Sequence, residues 1–208
     1  PFKLFEEKLI PEIVERRSKE KTLTIACAAC SSGQEPYSIA MLLREKFPVV
    51  CRDWKITIHA WDLCSQILAE AKEAKYGQLA VNRGLPVRLL MKYFTKDGST
   101  WQLKPEIRDM ITFQRMNLTH PWPVGRGSVD ILFMRNVLIY FDIETKKGIL
   151  ERGHKALRTG GSLFLGGAET TLNLDPRFRR FTHNKGSCYQ LGNETRSDKC
   201  FPKMKFAS

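Results

Sequence analysis

Apolar positions recur along the chain with two different periods, and this alternation predicts an α/β protein. Residues 1–17 have the period of an amphipathic helix, whose apolar face comprises Leu4, Phe5, Leu9, Ile13 and Val14. Residues 23–28 are apolar and partly β-branched, which is typical of a short buried strand. A helical period then continues to Phe47, with Pro36 in the first turn, where its missing N–H costs nothing.

The same two periods continue to the end of the chain. Strands are predicted at 55–62, 111–118, 129–136 and 162–167, with a closing antiparallel pair at 177–181 and 187–191. Helices are predicted at 65–75 and 142–157, the second ended by Gly160 and Gly161, and residues 48–54 are predicted to be a plain connection. Residues 129–136 are apolar on both faces, which is typical of a central parallel strand. The order predicts a doubly wound, mostly parallel α/β sheet with an antiparallel terminal hairpin.

Residues 76–110 depart from this alternation. The segments 92–95 and 100–104 flank Asp97-Gly98, which is a strong signal for a β-hairpin. We predict a small antiparallel β insertion, basic and aromatic, that selects the substrate; a plain edge hairpin is the alternative. Residues 1–194 are predicted to form one domain that includes this subdomain, and residues 195–208 a loose tail.

The balance of charge is the unusual feature of the composition. Lys and Arg number 34 against 22 Asp and Glu, which gives a formal net charge of +12. This excess favours an acidic partner, such as nucleic acid, an anionic membrane surface or a Glu-rich protein. The alternative is a basic surface that only confers solubility. No run of residues reaches the length of a membrane span, and the N-terminus lacks a signal-peptide pattern.

The six cysteines are scattered, mostly within apolar segments, which is typical of free thiols in a reducing compartment. We therefore expect a cytoplasmic protein. Cys27 and Cys30 form a C-x-x-C pair, but Cys27 falls inside a predicted strand and no second pair has zinc-ligand spacing. We interpret both as structural thiols rather than as a redox or metal pair, and we predict no metal site.

A turn of small residues, Ser31-Ser32-Gly33, follows the first predicted strand. Such a turn lets a ligand touch the backbone and meet the positive end of the helix dipole, although it also permits close packing of strand on helix. It has one glycine and is not the G-x-G-x-x-G fingerprint. Asp62 ends the next strand, where an acid accepts hydrogen bonds from ribose hydroxyls in nucleotide-binding folds. Capping of the helix at 65–75 is the alternative role for Asp62.

Polar residues also end two later strands. Asn117 stands at the end of one, and Arg135 and Asn136 follow the apolar run of the other. An arginine in this place is costly to bury without an anionic partner, and ligands of open α/β sheets bind at the carboxyl ends of strands. Arg135 and Asn136 are therefore candidates for the site. The alternative is that an internal carboxylate holds Arg135.

Two segments carry a close family resemblance, ACAACSSGQEPYSIAMLL at 26–43 and FMRNVLIYFD at 133–142. They resemble the CheR family, the chemotaxis receptor protein-glutamate O-methyltransferases. The match continues through IHAWDL, QRMNL and GGSLFLGGAET and covers nearly all of residues 1–191. The resemblance implies a Rossmann-like class I methyltransferase that moves a methyl group from S-adenosylmethionine to glutamate side chains, leaving S-adenosylhomocysteine.

The resemblance also implies which residues form the site. Cofactor contacts are expected at Ala29, Glu35, Asp62, Asn117, Leu118, Arg135 and Asn136. Among these, Glu35 is expected at the methionine ammonium and Asp62 at the ribose, with Asn117 and Leu118 beside the adenine. The expected catalytic residues are Tyr140, at the substrate glutamate, and Arg135, which holds the cofactor or the shape of the site.

The family pattern differs from this chain in three respects. Gln34 stands where the family has Glu, and Cys27 where it has Ser. The family also has a basic helical N-terminal domain and an N-x-T-x-F-F-R-like segment upstream of Pro1, so we expect this chain to be the catalytic domain alone. The expected partners are the cytoplasmic Glu-rich helices of chemotaxis receptors. We expect a monomer that binds no nucleic acid, does not insert into a membrane and does not depend on a receptor tail peptide.

Two other functions remain as alternatives. A nucleic-acid methyltransferase would explain the net charge, but it requires an N-P-P-Y-like motif, and residues 136–140 contain no proline. A non-catalytic S-adenosylmethionine-binding scaffold would keep the fold without the chemistry, and the presence of Tyr140 and the pocket residues argues against it.

Overall fold

The computed structural model describes residues 1–184 and 186–191, and their strands form two sheets. A seven-stranded sheet has the order β6-β2-β1-β7-β8-β10-β9, and a three-stranded sheet has the order β3-β5-β4. The strands are β1 (Thr22–Ala28), β2 (Lys55–Asp62), β3 (Lys75–Gly77), β4 (Phe94–Asp97), β5 (Thr100–Leu103), β6 (Ile111–Arg115), β7 (Val129–Met134), β8 (Leu157–Leu165), β9 (Phe178–His183) and β10 (Gly186–Leu191).

The helices connect these strands. The chain starts with α1 (Phe2–Leu4), which continues through a π-helical turn (Phe5–Leu9) into α2 (Ile10–Arg16). The others are α3 (Gln34–Lys46), α4 (Pro48–Asp53), α5 (Ser65–Glu73), α6 (Gln78–Asn82), α7 (Val87–Tyr93), α8 (Pro105–Arg108) and α9 (Ile143–Ala156), with a 3₁₀ helix at Leu138–Tyr140. No helix in the described part of the chain is both long and apolar enough to cross a membrane.

The large sheet confirms the predicted doubly wound architecture. Strands β6, β2, β1, β7 and β8 are parallel, and β10 and β9 add an antiparallel end. The chain passes from β1 to β2 on one side, whereas β7 pairs with β1 on the other. The carboxyl ends of β1 and β7 therefore meet where the strand order reverses, which is where ligands bind in open α/β sheets.

The central strand β7 explains the apolar run at 129–134. All six of its residues are buried, because neighbours cover both of its faces. Phe133 stacks on Phe164 of β8, with ring centroids 4.6 Å apart, and also contacts Phe5 of the N-terminal helix. The amphipathic face predicted for residues 1–17 thus packs against the middle of the sheet.

The insertion contains the predicted hairpin and more helix than predicted. Strands β4 and β5 pair antiparallel around Gly98, which has a φ of +58°, and β3 pairs with β5 as a third strand. The assignment of residues 92 and 93 to a strand was wrong, because they end α7. This helix starts after Pro86 and buries Leu90 and Tyr93, three residues apart on one face.

Other boundaries also differ from the prediction. The connection at 48–54 contains α4, which starts at Pro48 because proline suits the first turn of a helix. Helix α9 ends at Ala156, and Gly160 and Gly161 lie within β8, beside an irregularity in its pairing with β7. The predicted tail at 195–208 and Cys200 lie outside the described residues, and the extent of the domain stays a prediction.

Candidate functional site

The turn after β1 is held in rare backbone conformations. Ala29, Ser31 and Gly33 have φ values of +61°, +51° and +87°, in the left-handed region that non-glycine residues seldom adopt. At Gly33 a Cβ would come within 3.0 Å of the Tyr37 ring and 3.2 Å of the Ala71 Cβ, so this position requires glycine. Strained residues of this kind cluster at functional sites, because surrounding structure must hold them there.

Asp62 fixes this turn to the end of β2. Its Oδ2 accepts the N–H of Ser31 at 2.9 Å, and its Oδ1 accepts the N–H of Cys64 at 3.1 Å. The residue that caps α5 is Cys64, so the capping role considered for Asp62 is not realised. Each carboxylate oxygen has a second lone pair, and Asp62 is only half-buried, so it keeps acceptor capacity for a ligand.

A pair of opposite charges spans the carboxyl edge of the sheet. The Arg135 guanidinium, just after β7, donates to Oε1 of Glu35, in the first turn of α3, at 2.7 Å. Their side chains are 30% and 18% exposed. The internal carboxylate considered as a holder of Arg135 therefore exists, and it belongs to another candidate site residue. Burial raises the pKa of Glu35 above its ordinary value, and the hydrogen bond and charge of Arg135 oppose that shift.

Asn117 and Leu118 follow β6, whose last residue pairs with Asp62 of β2. Strand β6 ends at Arg115, three residues earlier than predicted, and the N–H of Met116 donates to the backbone oxygen of Asp62 at 2.9 Å. Oδ1 of Asn117 accepts from the N–H and hydroxyl of Thr119, and Leu118 is buried. The two residues thus follow the strand next to β2, at the same edge of the sheet.

The segment 135–140, called the site loop below, carries the remaining candidates. Asn136 is exposed and has a φ of +60°. Tyr140 ends the 3₁₀ helix and is 79% exposed. Asp142 then caps α9 as predicted, with its Oδ1 accepting the N–H of Thr145 at 2.8 Å. The fold therefore places Arg135, Asn136 and Tyr140 on one short loop, without a described hydrogen bond from the Tyr140 hydroxyl.

Sequence reasoning missed the residue that anchors this loop. Glu169 is 9% exposed, and its carboxylate accepts the N–H groups of Asn136, Val137, Leu138 and Gly166 at distances of 2.8, 2.8, 2.7 and 2.6 Å. The available signal was the position of Glu169 in the GGSLFLGGAET segment, directly after a buried strand. That segment was used for the family resemblance, but no role was assigned to its acid.

The C-x-x-C pair agrees with the structural interpretation. Cys27 and Cys30 are buried free thiols. Burial raises the pKa of Cys30 to about 12 and also raises the pKa of Cys27, which disfavours the thiolate needed for redox or metal chemistry. The residues that the structure describes contain no cluster of three or more His, Cys, Asp or Glu suited to a metal ion.

The chain was compared with protein-family models, curated proteins and solved structures. The family model described as "CheR methyltransferase, SAM binding domain" matches residues 1–186. Chemotaxis protein methyltransferase 1 of Pseudomonas aeruginosa is 38% identical over 193 residues, covering 91% of this chain and 70% of that protein. Chemotaxis protein methyltransferase Cher2 of Pseudomonas putida is 39% identical with the same coverage. A solved SAM-dependent methyltransferase of Methanosarcina mazei aligns with a TM-score of 0.43 and 17% identity, over 73% of this chain and 55% of that one.

Proposed function

The chain belongs to the CheR methyltransferase family, and we propose that it transfers the methyl group of S-adenosylmethionine to glutamate side chains of chemotaxis receptors. It is an S-adenosylmethionine-dependent methyltransferase by family. The observation that carries the proposal is the Glu35–Arg135 pair, because it places an acid and a base 2.7 Å apart at the edge of the sheet where a ligand is expected.

This pair fits the amino-acid end of the cofactor. S-adenosylmethionine ends in an ammonium and a carboxylate, and a partly exposed Glu35 beside a partly exposed Arg135 matches both charges. Without a ligand the two side chains neutralise each other. With the cofactor, Glu35 would hold the ammonium, as the family resemblance implies, and Arg135 would hold the carboxylate.

The other predicted contacts suit the rest of the molecule. Asp62 would accept hydrogen bonds from the ribose hydroxyls with its remaining lone pairs. Ala29 and Asn136 bring backbone in left-handed conformations to the carboxyl ends of β1 and β7, where it would contact the cofactor. Asn117 and Leu118, beyond Asp62, would flank the adenine.

The chemistry requires little acid–base help from the protein. A glutamate with a pKa of about 4.3 is already ionised at neutral pH, so the acceptor needs no general base. The sulfonium supplies an activated methyl group. The residues of the chain then align the acceptor carboxylate and exclude water, and alignment alone contributes up to about 7–11 kcal/mol in favourable cases. The exposed hydroxyl of Tyr140 is available to orient the incoming carboxylate by a hydrogen bond.

Arg135 is best assigned to the cofactor. An arginine bound tightly to the acceptor carboxylate would lower its nucleophilicity. Its pairing with Glu35, on the helix that follows the 29–33 turn, keeps its charge on the cofactor side. Arg135 therefore supports catalysis by shaping the site and not by contacting the nucleophile.

The proposed acceptor explains the basic composition. The relatives are named chemotaxis protein methyltransferases, and receptor helices that carry several glutamates would be attracted by a net charge of +12. In the insertion, Lys92 is engaged by Glu45, whereas Lys96 lies over the ring of Trp101. Lys96 forms no ion pair in the described part of the chain, and we propose that its charge helps to dock the receptor.

The test is a methylation assay with labelled S-adenosylmethionine and a receptor cytoplasmic fragment, scored as base-labile esters. We expect ester formation on the fragment and none on a fragment whose glutamates are replaced by glutamine. Tyr140→Phe should lower turnover more than it lowers affinity for S-adenosylhomocysteine, because the hydroxyl acts on the substrate side. Tyr189→Phe, on β10, is the matched control and should change neither quantity.

Three outcomes would contradict the proposal. Transfer of label to RNA or DNA but not to the receptor fragment would favour a nucleic-acid methyltransferase. Binding of S-adenosylhomocysteine without methyl transfer to any acceptor would favour a non-catalytic scaffold. Equal loss of turnover and of cofactor affinity in Tyr140→Phe would remove this residue from the substrate side.

A further inference from the structure

The buried carboxylate of Glu169 lies at the centre of the site loop. Its Oε1 accepts the N–H groups of Val137 and Leu138, and its Oε2 accepts those of Asn136 and Gly166. We propose that Glu169 is a positioning residue, which fixes the site loop in the geometry that Asn136 and Tyr140 need for binding and transfer. This inference rests on the proposed function above.

The arrangement is a backbone anion site filled by the protein's own side chain. Three successive N–H groups, those of residues 136–138, point at one carboxylate, and such concave groups of amides bind anions. Asn136 reaches this orientation only with a φ of +60°, a conformation that needs support from its surroundings. The charge of Glu169 provides that support, because hydrogen bonds to an ionised acceptor are stronger than those to a neutral one.

The space between residue 166 and the Glu169 carboxylate is too small for a side chain at position 166. At Gly166, a Cβ would lie 2.7 Å from Oε2 of Glu169 and 2.8 Å from the side-chain nitrogen of Asn136. The N–H of Glu169 also donates to the backbone oxygen of Gly166 at 3.0 Å, which closes a turn at the end of β8. Residue 166 must therefore lack a side chain for the acid to reach the loop.

Glu169 binds the middle of the site loop, so it can affect both the proposed cofactor residue Arg135 and the proposed substrate residue Tyr140. Arg135, on one side of the clamped amides, pairs with Glu35, and Tyr140, on the other side, ends the 3₁₀ helix that starts at Leu138. Glu169 is itself buried, so it acts through the backbone of the loop and not by touching the cofactor or the acceptor.

The first test is Glu169→Gln, because glutamine keeps the shape but replaces one acceptor oxygen by an N–H₂ group. Two of the four amide donors then lose their acceptor. We expect affinity for S-adenosylhomocysteine, measured by calorimetry, to fall at least fivefold, and turnover at least tenfold. The matched control is Asp130→Asn, which alters a fully buried carboxylate at the opposite end of β7 and should leave affinity per folded molecule unchanged.

A double-mutant cycle separates positioning from general destabilisation. If Glu169 sets the geometry of Tyr140, then Tyr140→Phe should slow turnover by a smaller factor in the Glu169→Gln protein than in the wild type. In the Asp130→Asn protein, Tyr140→Phe should have its full effect. The same factor in all three backgrounds would overturn the inference about Tyr140.

The two proposals fail in different ways. If Tyr140→Phe has no effect in the wild type, the assignment of Tyr140 to the substrate fails. The S-adenosylhomocysteine affinities of Glu169→Gln and Asp130→Asn then still decide whether Glu169 positions Asn136 for the cofactor. Equal affinities in those two variants would overturn that role. Should Glu169→Gln not fold, Gly166→Ala tests the same contact, because it keeps the charge and pushes the carboxylate off the loop. Wild-type affinity and turnover in Gly166→Ala would then contradict the inference.

Discussion

The two ends of the central strands β1 and β7 carry buried or half-buried charges with opposite purposes. At the amino end, Asp130 is fully buried and binds Arg17 at 2.7 Å, Arg158 at 3.3 Å and the N–H of Thr24 at 2.8 Å. At the carboxyl end, Glu35 and Arg135 pair with each other but stay partly exposed. Both carboxylate oxygens of Asp130 have partners within the protein, whereas Glu35 and Arg135 have capacity left for a ligand.

The difference extends to the backbone. At the amino end, the contacts of Asp130 join β7 to β1 and to the residue that follows the N-terminal helix. At the carboxyl end, Ala29, Ser31 and Asn136 are held in left-handed conformations. Such conformations cost about 1–3 kcal/mol each, and they persist at functional sites because other contacts compensate. One edge of the sheet therefore carries charges that stabilise the fold, and the other carries the residues of the proposed site.

Asp130→Asn should produce the largest effect, and it should act on stability alone. Removal of one partner from a buried ion pair typically costs about 3–5 kcal/mol, because the remaining charge is left without compensation. Denaturant unfolding should show this loss in the free energy of unfolding. A change in S-adenosylhomocysteine affinity under conditions where the variant is folded would show that the two ends of the strands are not separate in purpose.

Glu35→Gln should lower the affinity for S-adenosylhomocysteine and leave the stability of the fold nearly unchanged. It removes the acid that is proposed to hold the ammonium, and a hydrogen bond to a charged group contributes about 1.5–3 kcal/mol. Affinity measured by calorimetry should fall by that amount. The free energy of unfolding should change by less than about 1 kcal/mol, since the ion pair is partly exposed. Unchanged affinity would remove Glu35 from the cofactor site.

Asp62→Ala should weaken cofactor binding by about 1–3 kcal/mol, because it leaves ribose hydroxyls without an acceptor. It also frees the N–H groups of Ser31 and Cys64, so the 29–33 turn is expected to loosen. Comparison of adenosylhomocysteine with its 2′-deoxyribose analogue isolates the ribose contribution. If the variant discriminates between the two ligands as well as the wild type does, Asp62 does not bind the ribose.

The smallest expected effect is a pH dependence of binding. Because the pKa of Glu35 lies above its ordinary value, lowering the pH neutralises this acid earlier than an exposed glutamate. The charged form is the one that binds an ammonium, so affinity should be full near neutral pH and should fall as the pH drops through the raised pKa, by less than about tenfold per pH unit. In Glu35→Gln the decline should disappear. An identical decline in that variant would assign the titration to another group.

Local sequence patterns predicted which candidate residues lie at the carboxyl edge of the sheet. The turn after β1, Asp62 at the end of β2 and Arg135 at the end of β7 were found because each follows an apolar strand directly. Parallel strands bring such positions to one edge of the sheet. The helices of the insertion were missed because short segments such as 87–93 have too few residues to separate a helical from a strand period.

The residues that sequence alone did not explain depend on distant contacts. Glu169 meets backbone amides 31–33 residues earlier, and nothing in the local pattern records which N–H groups lack a partner. Asp130 interrupts an apolar strand, and its partners Arg17 and Thr24 lie 113 and 106 residues away. Both acids became interpretable only when the fold placed their partners around them.

The most direct test of the account is a crystal structure of the protein with S-adenosylhomocysteine. We predict that the ligand lies across the carboxyl ends of β1, β2 and β7, with its amino-acid end between Glu35 and Arg135 and its ribose at Asp62. A cavity of about 530 Å³ lies elsewhere, between α3 and the helices of the insertion. Ligand bound in that cavity, with Glu35 and Asp62 untouched, would contradict the account.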